Sequence, residues 1–591
     1  MTEDREVCKT GEDLHPQPTL AGSAIVSPAP GPPINSQPSA KSYYTALVLL
    51  AAISLWMRAG FPVFARPDAV HDDRLFIRLA RYLMTGDWLG PYDNLTLAKG
   101  MFYSLFITLA HALSIPLKIA EQAVYLAASA AVAGLVRRHA ASDRLPIVMF
   151  AILAFNPVFW HPDLARVLRE GLYVGLSLAV FALAAAIFLT PYNGPTASPL
   201  KVLQSVSLGF LTAAFWLTRE EGIWLAPAIA VLIAAAIRGV SRTASSSRRR
   251  AFLNTIALPL SITLLIFVVT DSLVAVVNFR HYRVFETNEF RAKSFLRAYG
   301  ALTRIPANEW HRYVLFPEDA RQRAYAVSPA ARELANGFEG PLAQGWRRAS
   351  CSSMNVRFCP EVLSGWLMWE LRDAVRDAGH YGSAPEAMRF YDKLADQIDI
   401  ACDDGRLACL PNRPTLSPRF REEYVGETLD SAKAVAQQLF HLGDGRIGSA
   451  PSTGAPQGIS IFADTVGPVY PPNDLVGSAE IPGAVQLKVA SVIASGYATV
   501  FPILTIFGIA GLLLTVSLRQ LRPFPTALFA LSLASAVAIC TRIFLLAYID
   551  ATSFTAANVP YVSPASPFVI ILAAVGIYLG YRTVFHRTQL H

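Results

Sequence analysis

An all-α, polytopic membrane protein is the fold class this sequence predicts, and three observations predict it. Of 591 residues, 53% are hydrophobic and only 16% are charged, against about 25% charged in soluble domains. Several apolar runs reach the ~20 residues needed to cross ~30 Å of hydrocarbon. The basic residues gather in short loops beside those runs, the positive-inside pattern. That placement accounts for much of the formal net charge of +8 without a nucleic-acid partner.

Residues 1–42 are polar and rich in Pro, Ser and Gly, with no cleavable signal pattern. They read as a disordered cytosolic tail ahead of an uncleaved anchor. Spans are expected at about 43–58, 120–137, 145–160, 170–190, 203–218, 222–238, 252–277, 494–517, 524–547 and 565–582. The run 101–117 is apolar, but it is short, carries His111 and ends at Pro116. It reads as a re-entrant or interfacial helix. With it excluded, Arg137-Arg138, Arg238 to Arg250, Arg519/Arg522 and Arg582 to His591 all share the side of the N-terminus; with it included, they would face outward. About ten transmembrane helices with both termini cytosolic follow, in a plasma (inner) membrane. The expected organisation is a tail (1–42), an N-terminal transmembrane module (43–277) with a first outer loop at 60–118, an extracytoplasmic insert (278–490), and C-terminal transmembrane helices (491–591).

The insert carries helical stretches such as 365–379 and 386–404, then Pro/Gly-rich chain between 441 and 483, so a mostly helical extracytoplasmic domain is expected. Four cysteines lie in it: Cys351, Cys359, Cys402 and Cys409. In an oxidising compartment one or two disulfides are expected, Cys402–Cys409 among them as a local loop, while zinc is the other reading.

The stretch His71 to Gly100 follows the first span directly. It opens on Asp72 and Asp73, continues as an amphipathic run with Leu75, Leu79 and Leu83 beside Phe76, Ala80 and Met84, and closes through Gly86-Asp87-Trp88 to Lys99. Such a helix beside a span lies flat in the interface. Acid, nearby cations and an interfacial helix suit an enzyme acting on a lipid phosphate.

The pattern Asp72, Asp73, Phe76, Ala80, Leu83, Gly86, Asp87 and Trp88 resembles the first outer loop of the GT-C glycosyltransferases, most of all the aminoarabinose lipid A transferase and protein O-mannosyltransferase group. Lys99-Gly100 stands where Lys-Pro is usual in that group, and Asp73 where Glu is common. The segment Trp216 to Pro227, with Arg219, resembles that group's basic turn between two spans. The resemblance covers roughly the first 240 residues. It implies a GT-C-like fold and transfer of a sugar from a polyprenyl-phosphate donor to a glycan, lipid or protein acceptor outside the membrane. Asp72 or Asp73 would be the general base. Lys99, Arg219, Arg166, Arg169 and Arg280, expected at the same outer rim, would bind the lipid phosphate.

Other uses fit the same residues. The acidic pair also suits a helix N-terminus, and Arg74, Arg78 and Arg81 suit lipid headgroups. Arg219 could pair with Glu220 or Glu221, and Arg166 and Arg169 could be snorkelling anchors. Arg542 and Asp271 fall mid-span, where a charge needs a partner or a task. Trp310, Trp346, Trp366 and Trp369 suit core packing of the insert, or stacking on sugars. An acidic pair beside a phosphate could hold a divalent cation; no further ligand cluster is visible, and no metal site is assigned. Two other functions remain open: a glycan polymerase or ligase using a lipid-diphosphate donor, and a transporter or flippase of a lipid-linked sugar. The second calls for interrupted helices near the midplane and related halves.

Overall fold

The computed structural model describes residues 40–190, 198–243, 245–355, 359–472, 483–518 and 526–585. Most of the expected tail, Arg519, Arg522 and residues 586–591 lie outside the described residues. The architecture is all-α, and β structure among the described residues is limited to two isolated bridges. Nine helices among the described residues are long and apolar enough to cross a membrane: Lys41–Ala59, Leu117–His139, Glu170–Phe188, Pro199–Thr218, Glu220–Ser241, Ser247–Tyr282, Ala484–Leu518, Thr526–Thr552 and Val559–Phe585. Glu170–Phe188 and Val559–Phe585 form the centre, with 83% of each apolar window buried, whereas Ser247–Tyr282 lies at the rim with 6%.

The span expected at 145–160 is a correction. Its helix, Arg144–Ala154, ends before Asn156-Pro157, because proline lacks the N–H a helix needs and disfavours helical geometry in the residue before it. Asn156 then caps a 3₁₀ turn, Pro157–Trp160, accepting from the Val158 N–H. The chain still returns to the face it left. Arg137 holds Asp143 at one end of this segment (2.8 Å), and Arg166 reaches Asp73 beyond the other (2.6 Å). The apolar run within the first outer loop forms a helix of 11 residues, Phe102–Ala112, too short to span. Its Tyr103 hydroxyl donates to Glu121 (2.9 Å), in the second turn of the helix Leu117–His139.

The helices Ala484–Leu518 and Val559–Phe585 meet backbone to backbone. A Cβ on Gly576 would lie 2.2 Å from the Gly508 carbonyl oxygen, and one on Gly511 would lie 2.1 Å from that of Gly576. Small residues at such spacing let apolar helices approach closely.

The segment between Tyr282 and Ala484 is mostly helical, with its own core around Phe295, Tyr299, Leu371, Leu394 and Ile398. At its centre Arg372 and Glu289 pair at 2.7 Å, both fully buried, and Tyr92 of the first loop donates to the same carboxylate (2.7 Å). Both cysteine pairs are disulfide-bonded, Cys351–Cys359 and Cys402–Cys409. After the helix Glu423–Phe440 the chain comes back to the start of the first loop. There Val63 N–H donates to Pro468 (3.0 Å) and Tyr470 N–H to Val63 (2.7 Å).

Candidate functional site

The helix Asp73–Thr85 lies beside the end of the first span and buries Leu75, Phe76, Ile77, Leu79 and Ala80. It stops at Gly86, whose φ of 85° is the left-handed conformation glycine adopts at least cost. Arg78, which the sequence suited to lipid headgroups, is instead held by Asp93 through Nη1 and Nη2 (2.5 and 3.1 Å). Asp72 occupies the N-cap position, yet its side chain makes no capping bond. It pairs with Lys99 instead. Gly100 has a reason to replace proline: a Cβ there would lie 2.1 Å from the Leu217 carbonyl oxygen.

The two aspartates are in opposite surroundings. The Asp72 side chain is 51% exposed. Desolvation alone would raise its carboxyl, but the Lys99 ammonium, helped by Arg166 and Arg169, outweighs it and holds the group well below the usual carboxylate range. Lys99 itself is buried and sits over the rings of Phe76 (5.0 Å) and Trp369 (5.5 Å). Asp73 is completely buried, accepting from Arg166 Nη2 (2.6 Å), Arg166 Nε (3.3 Å) and the Val167 N–H (3.2 Å). Burial pushes its carboxyl up, against the pull of Arg166.

Arg169 donates to the Thr218 carbonyl (3.1 Å) and lies 3.5 Å from Glu220. Arg219 is buried between Glu170 and Glu221 and over the Tyr561 ring (4.9 Å). Glu221 also meets Arg542 (3.2 Å), whose remaining donors go to the Tyr561 carbonyl. Arg542 therefore has its mid-span partner, and that partner is not Asp271. Six of the seven sequence-predicted residues thus gather on one face: Asp72, Asp73, Lys99, Arg166, Arg169 and Arg219. Arg280 is the exception. It is exposed in the last turn of its helix and makes no ion pair or hydrogen bond among the described residues.

Sequence reasoning missed Glu170 and Tyr561, and it missed an aromatic wall. His71 packs against Trp346 (4.8 Å) and Trp369 (5.1 Å), two of the tryptophans that suited a core, with Asp373 3.8 Å from its Nε2. No local signal linked His71 to these tryptophans, which stand 275 and 298 positions further along the chain. Among the described residues no group of three or more His, Cys, Asp or Glu side chains gathers as metal ligands.

Burial first, and the charge of Lys99 second, push the His71 imidazole down to about 4. Its depressed value means that stability is present above the unfolded value of ~6.5 and is lost as pH falls toward 4. Wild type should therefore lose more thermal stability between pH 7 and 4 than His71→Gln. Parallel melting curves would contradict the neutral, buried histidine.

No family model and no curated protein matches the sequence. The chain is similar to the crystal structure of ArnT from Cupriavidus metallidurans in the apo state, at 15% identity and TM-score 0.30, covering 93% of this chain and 78% of that one. It is similar to the same protein bound to undecaprenyl phosphate at 14% identity and TM-score 0.30, covering 92% and 78%.

Proposed function

We propose that this chain is a membrane glycosyltransferase of GT-C type. It takes a sugar from a polyprenyl-phosphate donor and transfers it to a glycan, lipid or protein acceptor at the extracytoplasmic face. The reading rests on one observation: the exposed carboxylate, Asp72, is paired with a buried lysine whose other neighbours are ring faces. A lipid phosphate reaching that pocket competes with Asp72 for Lys99, while the charge of Arg169 reaches the same point. Once Lys99 turns to phosphate, the Asp72 carboxyl rises toward the ordinary range and becomes a competent base. The acceptor hydroxyl gives its proton to Asp72, its oxygen bonds to the anomeric carbon, and the carbon–oxygen bond to phosphate breaks. The electron pair leaves with the polyprenyl phosphate, where Lys99 and Arg169 stabilise the new charge. Asp73 and Arg166 are positioning residues that fix the start of the interfacial helix. The wall of His71, Trp346 and Trp369 would face the sugar, and the 278–490 insert that carries both tryptophans would form one side of the cleft. Both termini would be cytosolic.

The test uses purified protein in lipid with a panel of radiolabelled polyprenyl-phosphate sugars. Wild type should bind and cleave at least one of them. Lys99→Met should weaken donor binding by roughly 10- to 100-fold, the ~1.5–3 kcal/mol of a charge-assisted hydrogen bond. A wild type that binds none of the panel overturns the reading.

A further inference from the structure

The segment between Tyr282 and Ala484 contains a second site, which shares no residue with the Asp72–Lys99 cluster. A cavity of about 190 Å³ opens between the helix Lys293–Thr303, residues 305–315 and the stretch 410–424. At ~30 Å³ per water, this is room for about six waters, enough for a single sugar ring. Three arginines line it, Arg413, Arg419 and Arg421, and no carboxylate does. The Arg413 side chain makes no hydrogen bond or ion pair among the described residues. Arg419 spends one nitrogen on the Pro411 carbonyl. Arg421 meets the exposed Glu423 at 3.2 Å, and its Nε is buried without a partner among the described residues.

Arg413 and Arg419, which have no acidic partner among the described residues, repel one another. Desolvation first, then the charges of Arg413 and Arg304, lower the Arg419 guanidinium. An arrangement of this kind is relieved by an anion, and planar guanidinium forks suit phosphate oxygens. The remaining lining is aromatic and hydroxylic. Trp310 stands edge-on to Tyr424 (5.9 Å) and carries Arg421 over its ring (4.8 Å), while Thr303, Thr415 and Ser417 offer hydroxyls. Aromatic faces beside hydroxyl groups fit a sugar ring, whose C–H face packs on the rings while its hydroxyls are hydrogen-bonded.

From the three arginines of a lining without a carboxylate, two of them with no acidic partner among the described residues, the aromatic wall and the hydroxyls of this cavity, we propose a binding site for a phosphorylated sugar. Arg413 and Arg419 hold the phosphate, and Trp310 and Tyr424 pack on the ring. The site is tied to the membrane part through Tyr548 of the helix Thr526–Thr552, which donates to the Pro418 carbonyl (3.1 Å). The proposal is independent of the donor chemistry at Asp72.

Calorimetric titration of the full-length protein in phosphatidylcholine nanodiscs tests it, with glucose 1-phosphate, glucose and inorganic phosphate as probes. Glucose 1-phosphate should bind at least about tenfold more tightly than either of the others. Binding should weaken by about tenfold or more in Arg413→Ala and in Arg419→Ala. Because Arg413 holds no other group in place, Arg413→Ala should keep the wild-type melting temperature, so its loss of binding reports on the site. No binding of glucose 1-phosphate, or equal binding in wild type and both variants, overturns the proposal. Inorganic phosphate binding as tightly as the sugar phosphate overturns it too, because the ring would then contribute nothing.

Discussion

Asp72→Asn should bind a polyprenyl-phosphate sugar at least as well as wild type does and turn it over roughly 10²- to 10⁴-fold more slowly. The asparagine side-chain oxygen still accepts from Lys99, so the pocket keeps its shape and its cations; what disappears is the proton acceptor. Asp73→Asn should behave differently. Asp73 is fully buried and meets Arg166 and the Val167 N–H, so its neutralisation strands a half-buried guanidinium and lowers stability along with activity. Measuring donor binding, single-turnover cleavage and melting temperature on the same samples separates the two. An Asp72→Asn protein with wild-type turnover removes the base from the mechanism.

The second large effect falls on stability. Glu289→Gln should lower the free energy of unfolding by about 3–5 kcal/mol, the usual cost of stranding one member of a buried ion pair. Arg372 and Glu289 are both fully out of water, and Tyr92 and the Asn94 carbonyl join the same cluster. The double variant Glu289→Met/Arg372→Met should recover part of the loss, since no unpaired charge remains. Thermal unfolding with limited proteolysis of the segment after Tyr282 reads both. A Glu289→Gln protein as stable as wild type would mean that the pair contributes little.

The spans were legible because hydrocarbon thickness sets a length that hydropathy displays directly. The break at Asn156-Pro157 was not read from the sequence: continuous hydrophobicity concealed it, and proline alone does not decide a break, since the helix Ala484–Leu518 runs through Pro502. In the candidate site, chain order and charge sufficed to put Asp72, Asp73, Lys99, Arg166, Arg169 and Arg219 on one rim. They did not separate Asp72 from Asp73. Neighbours at a helix start point about 100° apart, so one entered the interior and the other the cleft. Arg280 failed for the same geometric reason. Asn278 turns inward to Trp88, and two residues further on, about 200° around the helix, Arg280 points away. Glu170 and Tyr561 come from helices 49 and 342 positions from Arg219, and no spacing rule connects them.

The candidate site is an even balance of charge. Lys99, Arg166, Arg169, Arg219 and Arg542 face Asp72, Asp73, Glu170, Glu220 and Glu221. A cleft so neutralised casts little field beyond itself and does not draw anions from afar. A lipid-borne ligand would then arrive by diffusing sideways in the bilayer, and its capture rate should be nearly indifferent to ionic strength, whereas a net-positive funnel would lose its pull as salt shortens the Debye length.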